Sequence, residues 1–241
     1  MQHILGQIRR CVEDYHMIEE GDRIAVGVSG GKDSLVLLCA MARLREFYPL
    51  PFTLEAITLH PGVPGLDFSP VTELCQKLAV PYTIVDVPIY QIVFEERKEK
   101  NPCSLCSKMR RGAINTALVE RDINKVALGH HFDDAVETML MNLFFEGRLG
   151  SFQPVTYLDR MDVMQIRPML YVEEADVARA ARREELPIIK NPCPADGVTR
   201  RQEIKELLEK LEADYPNLRT KIFGAMQRYP LYGWNKETME R

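Results

Sequence analysis

No apolar run in this chain approaches the ~18 residues that a membrane span needs. The opening residues, "MQHILGQIRRC", lack the charged-then-apolar layout of a secretory signal. Both absences lead to the expectation of a cytoplasmic protein with no membrane partner. In that compartment thiols stay reduced, so the six cysteines, at positions 11, 39, 75, 103, 106 and 193, do not read as a disulfide framework. Positive charge is not in excess: 31 Lys and Arg against 35 Asp and Glu leave a net charge of −4. Composition alone therefore does not announce nucleic-acid binding. There is no second C-x-x-C beside Cys103 and Cys106, no low-complexity segment, and no internal repeat beyond one echo, Asn-Pro-Cys at Asn101 and again at Asn191. What is present is ordinary for a chain that buries a core, with 46% hydrophobic and 27% charged residues over 241 positions.

Short apolar runs alternate with helical periods, the pattern of βα units stacked around a parallel sheet. The runs predict strands at Arg23–Val28, Phe52–Leu59, Tyr82–Val87 and Lys125–Gly129, and a less regular fifth at Val163–Arg167. Between them helices are expected over Ser34–Phe47, Phe68–Leu78, Ser107–Asp122 and Phe132–Phe145. Beyond Arg167 the pattern gives a helix at Glu173–Glu185, an extended "PIIK", then helices at Thr199–Ala213 and Leu218–Gln227. "GRLGSFQPVTY" reads as a loop and the final "YGWNKETMER" as frayed. An open parallel sheet binds ligands beyond the carboxyl ends of its strands. Three motifs begin where a predicted strand stops: Ser29, His60 and His130.

"VGVSGGKDS" runs off the first strand into a helix. Small residues let backbone N–H groups turn inward, and the helix adds its positive end, so the loop suits a phosphate or pyrophosphate. It is neither a Walker A loop, since Val26 stands where the first glycine belongs and Asp33 follows Lys32, nor Gly-x-Gly-x-x-Gly, since Ser29 takes the second glycine's place. A carboxylate at Asp33 beside a phosphate calls for a cation between them, which implies Mg²⁺. In "GHHFDDAVETMLMN", Asp133 and Asp134 fall in a first helical turn, where carboxylates suit the dipole and reach a metal, or simply cap the helix.

Cys103 and Cys106 read equally as zinc ligands, a redox pair, iron–sulfur ligands or chance, and a structural zinc would need a fourth ligand. In both Asn-Pro-Cys segments proline stiffens the backbone ahead of a helical pattern, which presents a thiolate near positive helix dipoles. Basic residues gather close by: Lys98, Lys100, Lys108, Arg110 and Arg111 around the first clip, Arg200 and Arg201 after the second. A further group, Arg179, Arg182 and Arg183, shares one helix.

"SGGKDS" resembles the PP-loop of the N-type ATP pyrophosphatases, and "GHHFDD" their second signature. The likeness implies a doubly wound parallel α/β sheet of the adenine nucleotide alpha hydrolase type with a small C-terminal helical extension. It also implies ATP cleavage between the α- and β-phosphates to adenylate a substrate. An adenylated oxygen then departs as AMP, where a bare carbonyl oxygen would not leave. Ser29, Gly30, Gly31, Lys32, Asp33 and Ser34 would hold the pyrophosphate, with His60, Gly129, His130, Asp133 and Asp134 completing the nucleotide site. Asp33 and Asp134 would bind Mg²⁺. "CSLCSKMRRG", "GHHFDDAVETMLMNLFFEGRL" and a later lone cysteine resemble, more narrowly, the tRNA 2-thiocytidine synthetases, over about Gly21 to Gln227. That resemblance implies that Cys103, Cys106 and Cys193 ligate a 4Fe–4S cluster whose unique iron carries the sulfide that attacks C2 of an adenylated cytosine. Arg110, Arg111, Arg200 and Arg201 would meet tRNA phosphates. The partners implied are tRNA, a sulfur donor such as a cysteine desulfurase or free sulfide, and a second copy in a homodimer. The corresponding division of the chain is an N-terminal helical segment (1–20), an ATPase domain with an inserted C-x-x-C segment at 98–112 (21–170), and an extension with the third cysteine (171–241). Thiolation of a different base, a tRNA ligase of the lysidine-synthetase type, and a nucleotide- or cluster-binding regulator without turnover are the alternatives.

Overall fold

The structure is a computed structural model that describes residues 1–97, 102–190, 200–229, 231 and 234, with the side chain of Cys103 outside that set. Six strands form one sheet: β1 (Arg23–Gly27), β2 (Thr53–His60), β3 (Tyr82–Asp86), β4 (Lys125–Ala127), β5 (Val155–Leu158) and β6 (Val163–Ile166). Their order is β3-β2-β1-β4-β6-β5, parallel throughout except for β5, which pairs antiparallel with β6 at the edge. Chain order reverses between β1 and β4. Val26 lies opposite Ala127 there, so the segments after both strands leave the same crevice.

Among the described residues the α-helices are α1 (Gln2–Asp14), α2 (Lys32–Arg45), α3 (Ser69–Lys77), α4 (Pro102–Val119), α5 (Phe132–Glu146), α6 (Glu174–Arg183), α7 (Arg200–Asp214) and α8 (Leu218–Arg228), with a π-helical turn at Gln91–Glu96. α2 is the central helix: Leu35 to Leu38, Ala40, Met41 and Leu44 are fully buried, because the sheet lies on one side of it and α1 and α6 on the other. α1 contributes Ile4, Ile8, Cys11 and Val12, spaced at helical period, to the same core as α6, α7 and α8. Ala25, Ile57, Leu118, Ile123, Val126 and Val163 fill the opposite face of the sheet under α4.

Three expectations are corrected. "GRLGSFQPVTY" contains β5, whose register is set against β6 rather than by its own alternation. α4 starts at Pro102, not Ser107, because proline suits the first helical turn. The tail is not wholly frayed: Trp234 is fully buried against Phe223, and its indole N–H donates to the Phe152 carbonyl at 3.0 Å. "PIIK", expected as extended, forms no strand; Ile189 makes a single backbone bond, its N–H donating to Gly30 at 2.9 Å.

At the amino edge of the sheet a buried charge pair ties β1 to β4. Lys125 Nζ lies 2.7 Å from Asp22, with the two residues 4% and 3% exposed. Asn124 donates to the other Asp22 oxygen at 2.8 Å and accepts the Arg23 N–H at 2.8 Å. Among the described residues no helix is long and apolar enough to cross a membrane.

Candidate active site

The glycine loop is held by its own hydroxyls. Ser34 Oγ donates to the Gly31 carbonyl at 2.9 Å and accepts the Ser29 N–H at 3.1 Å. Its only proton is thereby committed, so in the 3.2 Å contact between the two hydroxyls Ser29 is the donor. Ser29 Oγ in turn accepts the Gly31 N–H at 3.3 Å. Gly30 sits at φ +82°, and a Cβ there would meet Ile189 at 3.0 Å, so the loop needs glycine both for its dihedral and for the chain packed on it. Gly129, leaving β4, backs onto the start of α2: a Cβ would lie 3.1 Å from Ser34 N and from the Asp33 carbonyl carbon. That close approach brings the two motifs together.

They meet in a cleft of roughly 190 Å³ lined by Lys32, Asp33, His131, Asp134, Glu137, Glu174, Arg201, Gln202 and Lys205. A slightly larger cleft of roughly 240 Å³, between α1 and α8, is lined by Gln7, Arg10, Phe132, Tyr171, Phe223 and Gln227, and no comparable set of charges converges there. Lys32 Nζ contacts both Asp33 oxygens, at 3.0 and 3.2 Å, and Glu174 Oε1 at 3.1 Å. Lys205 Nζ holds the other Glu174 oxygen at 2.6 Å. Arg201 reaches Asp134 at 3.0 Å, Glu137 at 3.1 Å and the Thr138 hydroxyl at 3.2 Å.

His131 caps α5. Its Nδ1 accepts the Asp134 N–H at 3.4 Å while the Asp134 carboxylate accepts the His131 N–H at 3.0 Å, a reciprocal capping box. Because Nδ1 accepts, the neutral ring carries its proton on Nε2, which faces Asp134 at 3.4 Å and Asp33 Oδ1 at 3.7 Å. Asp33 Oδ1 is the informative atom. The hydrogen bond from Lys32 goes to Oδ2; Oδ1 is buried in the cleft, ion-paired to the same ammonium at 3.0 Å but with no well-formed hydrogen bond. A buried anionic oxygen in that state fits a hard cation. Among the described residues no group of three or more His, Cys, Asp or Glu side chains is arranged to hold a metal ion, so Mg²⁺ on Asp33 and Asp134 would take its remaining ligands from phosphate oxygens and water.

Burial opposes the charge on Glu174, but the hydrogen bonds and charges of Lys205 and Lys32 prevail and hold its carboxyl at about 2. It is an anion at any working pH. Burial lowers the Lys32 pKa, and the neighbouring Asp33 and Glu174 more than restore it, leaving it raised. Glu137 is raised by burial against the pull of Arg201. Behind the cleft, His130 packs on Phe152 with ring centroids 4.8 Å apart, and its Nδ1 is buried without a hydrogen-bond partner. Burial first, and the Arg167 charge second, push its pKa down to about 4 from 6.5. Between those values the unfolded chain binds a proton that the folded one does not. Stability is therefore expected to fall as pH drops from about 6.5 to 4. Thermal midpoints across that window check it: His130→Phe should flatten the slope, and an unchanged slope would assign it to other groups.

Of the residues expected from sequence, Lys32, Asp33 and Asp134 line the cleft. Asp133 turns away, accepting the Glu174 N–H at 2.7 Å and lying 3.4 Å from Arg219. His60 closes β2 apart from the cleft, edge-on to Phe68 and bonded to the backbone of Gly62 and Leu66. Arg110 and Arg111 are exposed on α4. Arg200 stacks over Phe145 at 4.8 Å. Arg201, expected at a tRNA phosphate, is instead committed to the acceptors of α5. Cys106 is a half-buried free thiol; the Cys103 side chain and Cys193 lie outside the described residues. Sequence reading missed His131, Glu137, Glu174 and Lys205. Only His131 carried a local signal, as the residue before an acidic first turn.

A glycine loop at the end of the first strand, facing an acidic helix start across the switch point, defines a PP-loop nucleotide-binding protein. The family model described as a PP-loop domain matches residues 2–211. The chain is 39% identical to a tRNA-cytidine(32) 2-sulfurtransferase of Dechloromonas aromatica (strain RCB), over 94% of this chain and 79% of that protein. It is 37% identical to the tRNA-cytidine(32) 2-sulfurtransferase of Geobacter metallireducens, over 92% and 88%. Among solved structures, the U34-tRNA thiolase NcsA from Methanococcus maripaludis with its 4Fe–4S cluster matches with a TM-score of 0.74 and 26% identity, covering 90% of this chain and 75% of that one. The chain belongs to the tRNA-cytidine(32) 2-sulfurtransferase family of PP-loop proteins.

Proposed function

We propose that this chain carries out ATP-dependent 2-thiolation of a cytidine in the anticodon loop of tRNA. One observation carries the reading. The described residues on either side of the Cys193 segment are both seated on the nucleotide cleft: Ile189 is bonded to Gly30 of the glycine loop, and Arg201 is clamped on Asp134 and Glu137. α4, with Cys106 near its start, leads into the amino end of β4, so that start lies at the carboxyl edge of the sheet where the cleft opens. Thiolation brings sulfur and an activated oxygen to one carbon. Flanking residues of the Cys193 segment that both bond to the ATP cleft fit that demand, whereas a ligase of the lysidine-synthetase type has no use for a cysteine there.

Ser29, Gly30, Gly31 and Ser34 would offer N–H and hydroxyl groups to the pyrophosphate, with Lys32 neutralising its charge and Asp33 and Asp134 holding Mg²⁺. Cytosine O2 attacks the α-phosphorus and pyrophosphate leaves; the adenylated oxygen then departs with AMP as sulfur takes its place at C2. Cys103, Cys106 and Cys193 would hold the 4Fe–4S cluster, which supplies that sulfur. The base must be splayed from its stack to be reached, which favours a loop nucleotide. Arg110, Arg111 and Arg200 are the side chains proposed to meet the RNA backbone. The sulfur donor is a cysteine desulfurase or free sulfide, the working unit a homodimer, the compartment the cytoplasm. Mass spectrometry of tRNA nucleosides from cells with and without the gene tests the reading. 2-Thiocytidine should vanish with the gene and return on complementation; its persistence, or the loss of lysidine instead, overturns it.

A further inference from the structure

The cleft lining holds three cationic side chains, Lys32, Arg201 and Lys205, against four carboxylates, Asp33, Asp134, Glu137 and Glu174. A polyphosphate entering that arrangement unchanged would meet more negative than positive charge. The carboxylates are not equivalent. Asp33 and Asp134 face His131 on the side where a cation fits, and Glu137 is 4% exposed beneath Arg201. Glu174 alone engages two lysines, one on each oxygen: Lys32 at 3.1 Å and Lys205 at 2.6 Å. Its backbone is fixed, because its N–H donates to Asp133. Exchange of partners therefore needs a side-chain rotation and no movement of α6.

Resting on the assignment of this cleft to ATP, we propose that Glu174 is the anion that Lys32 and Lys205 exchange for the polyphosphate. Lys205, supplied by α7 from beyond the Cys193 segment, is then a nucleotide ligand, and Glu174 is the positioning residue that keeps both ammonium groups pointed into the cleft. Glutamine in place of Glu174 keeps size and the backbone bond but removes the competing charge. A rival anion for the same two cations costs ATP affinity, so its removal should tighten binding.

Equilibrium binding of Mg-ATP to the full chain, at one ionic strength, tests this with Glu174→Gln, Lys205→Gln and the double variant, each verified as folded by its melting curve. Glu174→Gln should bind ATP about 5- to 10-fold more tightly, and Lys205→Gln about 10-fold more weakly, as expected for single partly desolvated charge contacts. In the double variant the gain from Glu174→Gln should shrink, because one of the cations it releases is gone. A purely structural Glu174 gives the opposite sign, weaker binding with a lower melting point. Unchanged or weaker ATP binding in Glu174→Gln overturns the exchange. Unchanged binding in Lys205→Gln, which stands as a test even if the other variant does not fold, removes Lys205 as a ligand. A wild-type chain without ATP affinity overturns the functional reading itself, and this proposal with it.

Discussion

Cys106→Ser should lower 2-thiocytidine formation by about 10³-fold or more, equivalent to at least ~4 kcal/mol of barrier, while Mg-ATP still binds with wild-type affinity. Cys106 sits near the start of α4, half-buried as a free thiol. It is the one described candidate ligand whose side chain is available to a cluster. Cys39 and Cys75 offer a contrast within the same chain: burial pushes both thiols up to about 11, so neither supplies a thiolate at neutral pH. Cys11 is fully buried in α1, its Sγ 3.8 Å from the Arg167 carbonyl. Alanine at 39 or 75 is accordingly expected to leave thiolation in place, whereas Cys193→Ala should match Cys106→Ser. Anaerobically prepared protein supplies the second readout, since broad visible absorption should weaken in the 106 and 193 variants only. Retained thiolation in Cys106→Ser would remove a Cys106-ligated cluster from the mechanism and leave a thiolase that takes its sulfur by another route.

Asp33→Asn is expected to reduce ATP-dependent adenylation by about 10² to 10³-fold, the scale of losing a metal's stabilisation of transferring phosphoryl charge. The melting temperature should change little. The Asp33 side chain is about one-third exposed and its partner Lys32 is itself partly exposed, and such a pair contributes on the order of 1 kcal/mol or less to folding. Lys32 keeps Glu174 as a partner in the variant. Pyrophosphate exchange measured against Mg²⁺ concentration separates the roles. The wild-type rate should climb with Mg²⁺ and saturate, and the variant should stay flat. A variant that saturates at the wild-type Mg²⁺ concentration with only a small loss of rate would show that the ion is held elsewhere.

The sheet and most of its helices were legible because their signals are local and periodic. α6 and α7 lie within a residue or two of expectation, and β1 runs from buried Ile24 to Gly27 straight into the loop. The misses share another physics. β5 is an antiparallel edge strand whose partner alone defines it, and no alternation within "QPVTYL" announces that. Trp234 is buried because Phe223 and the Phe152 carbonyl receive it, a tertiary fact invisible in a polar tail. At the site, glycine spacing reveals a loop, and an acidic pair after a strand reveals a helix start. Glu174 and Lys205 belong to neither pattern: they are ordinary letters in amphipathic helices, and only the packing of α6 and α7 on α5 and α2 brings them to Lys32. Arg201 makes the same point in reverse. Its sequence neighbourhood is basic and suggests an RNA contact, yet folding turns it inward onto Asp134 and Glu137.

The Asp22–Lys125 pair lies at the rim of the sheet opposite the chemistry, tying the beginnings of the two strands whose far ends carry the nucleotide motifs. Removing one member of such a buried pair costs about 3–5 kcal/mol, and neither Asp22, Asn124 nor Lys125 lines the nucleotide cleft. Endurance and turnover are thus written into opposite ends of the same two strands. Heat-hardening substitutions belong around Asn124 and Asp22, where they would lengthen the working life of the protein without altering its pace.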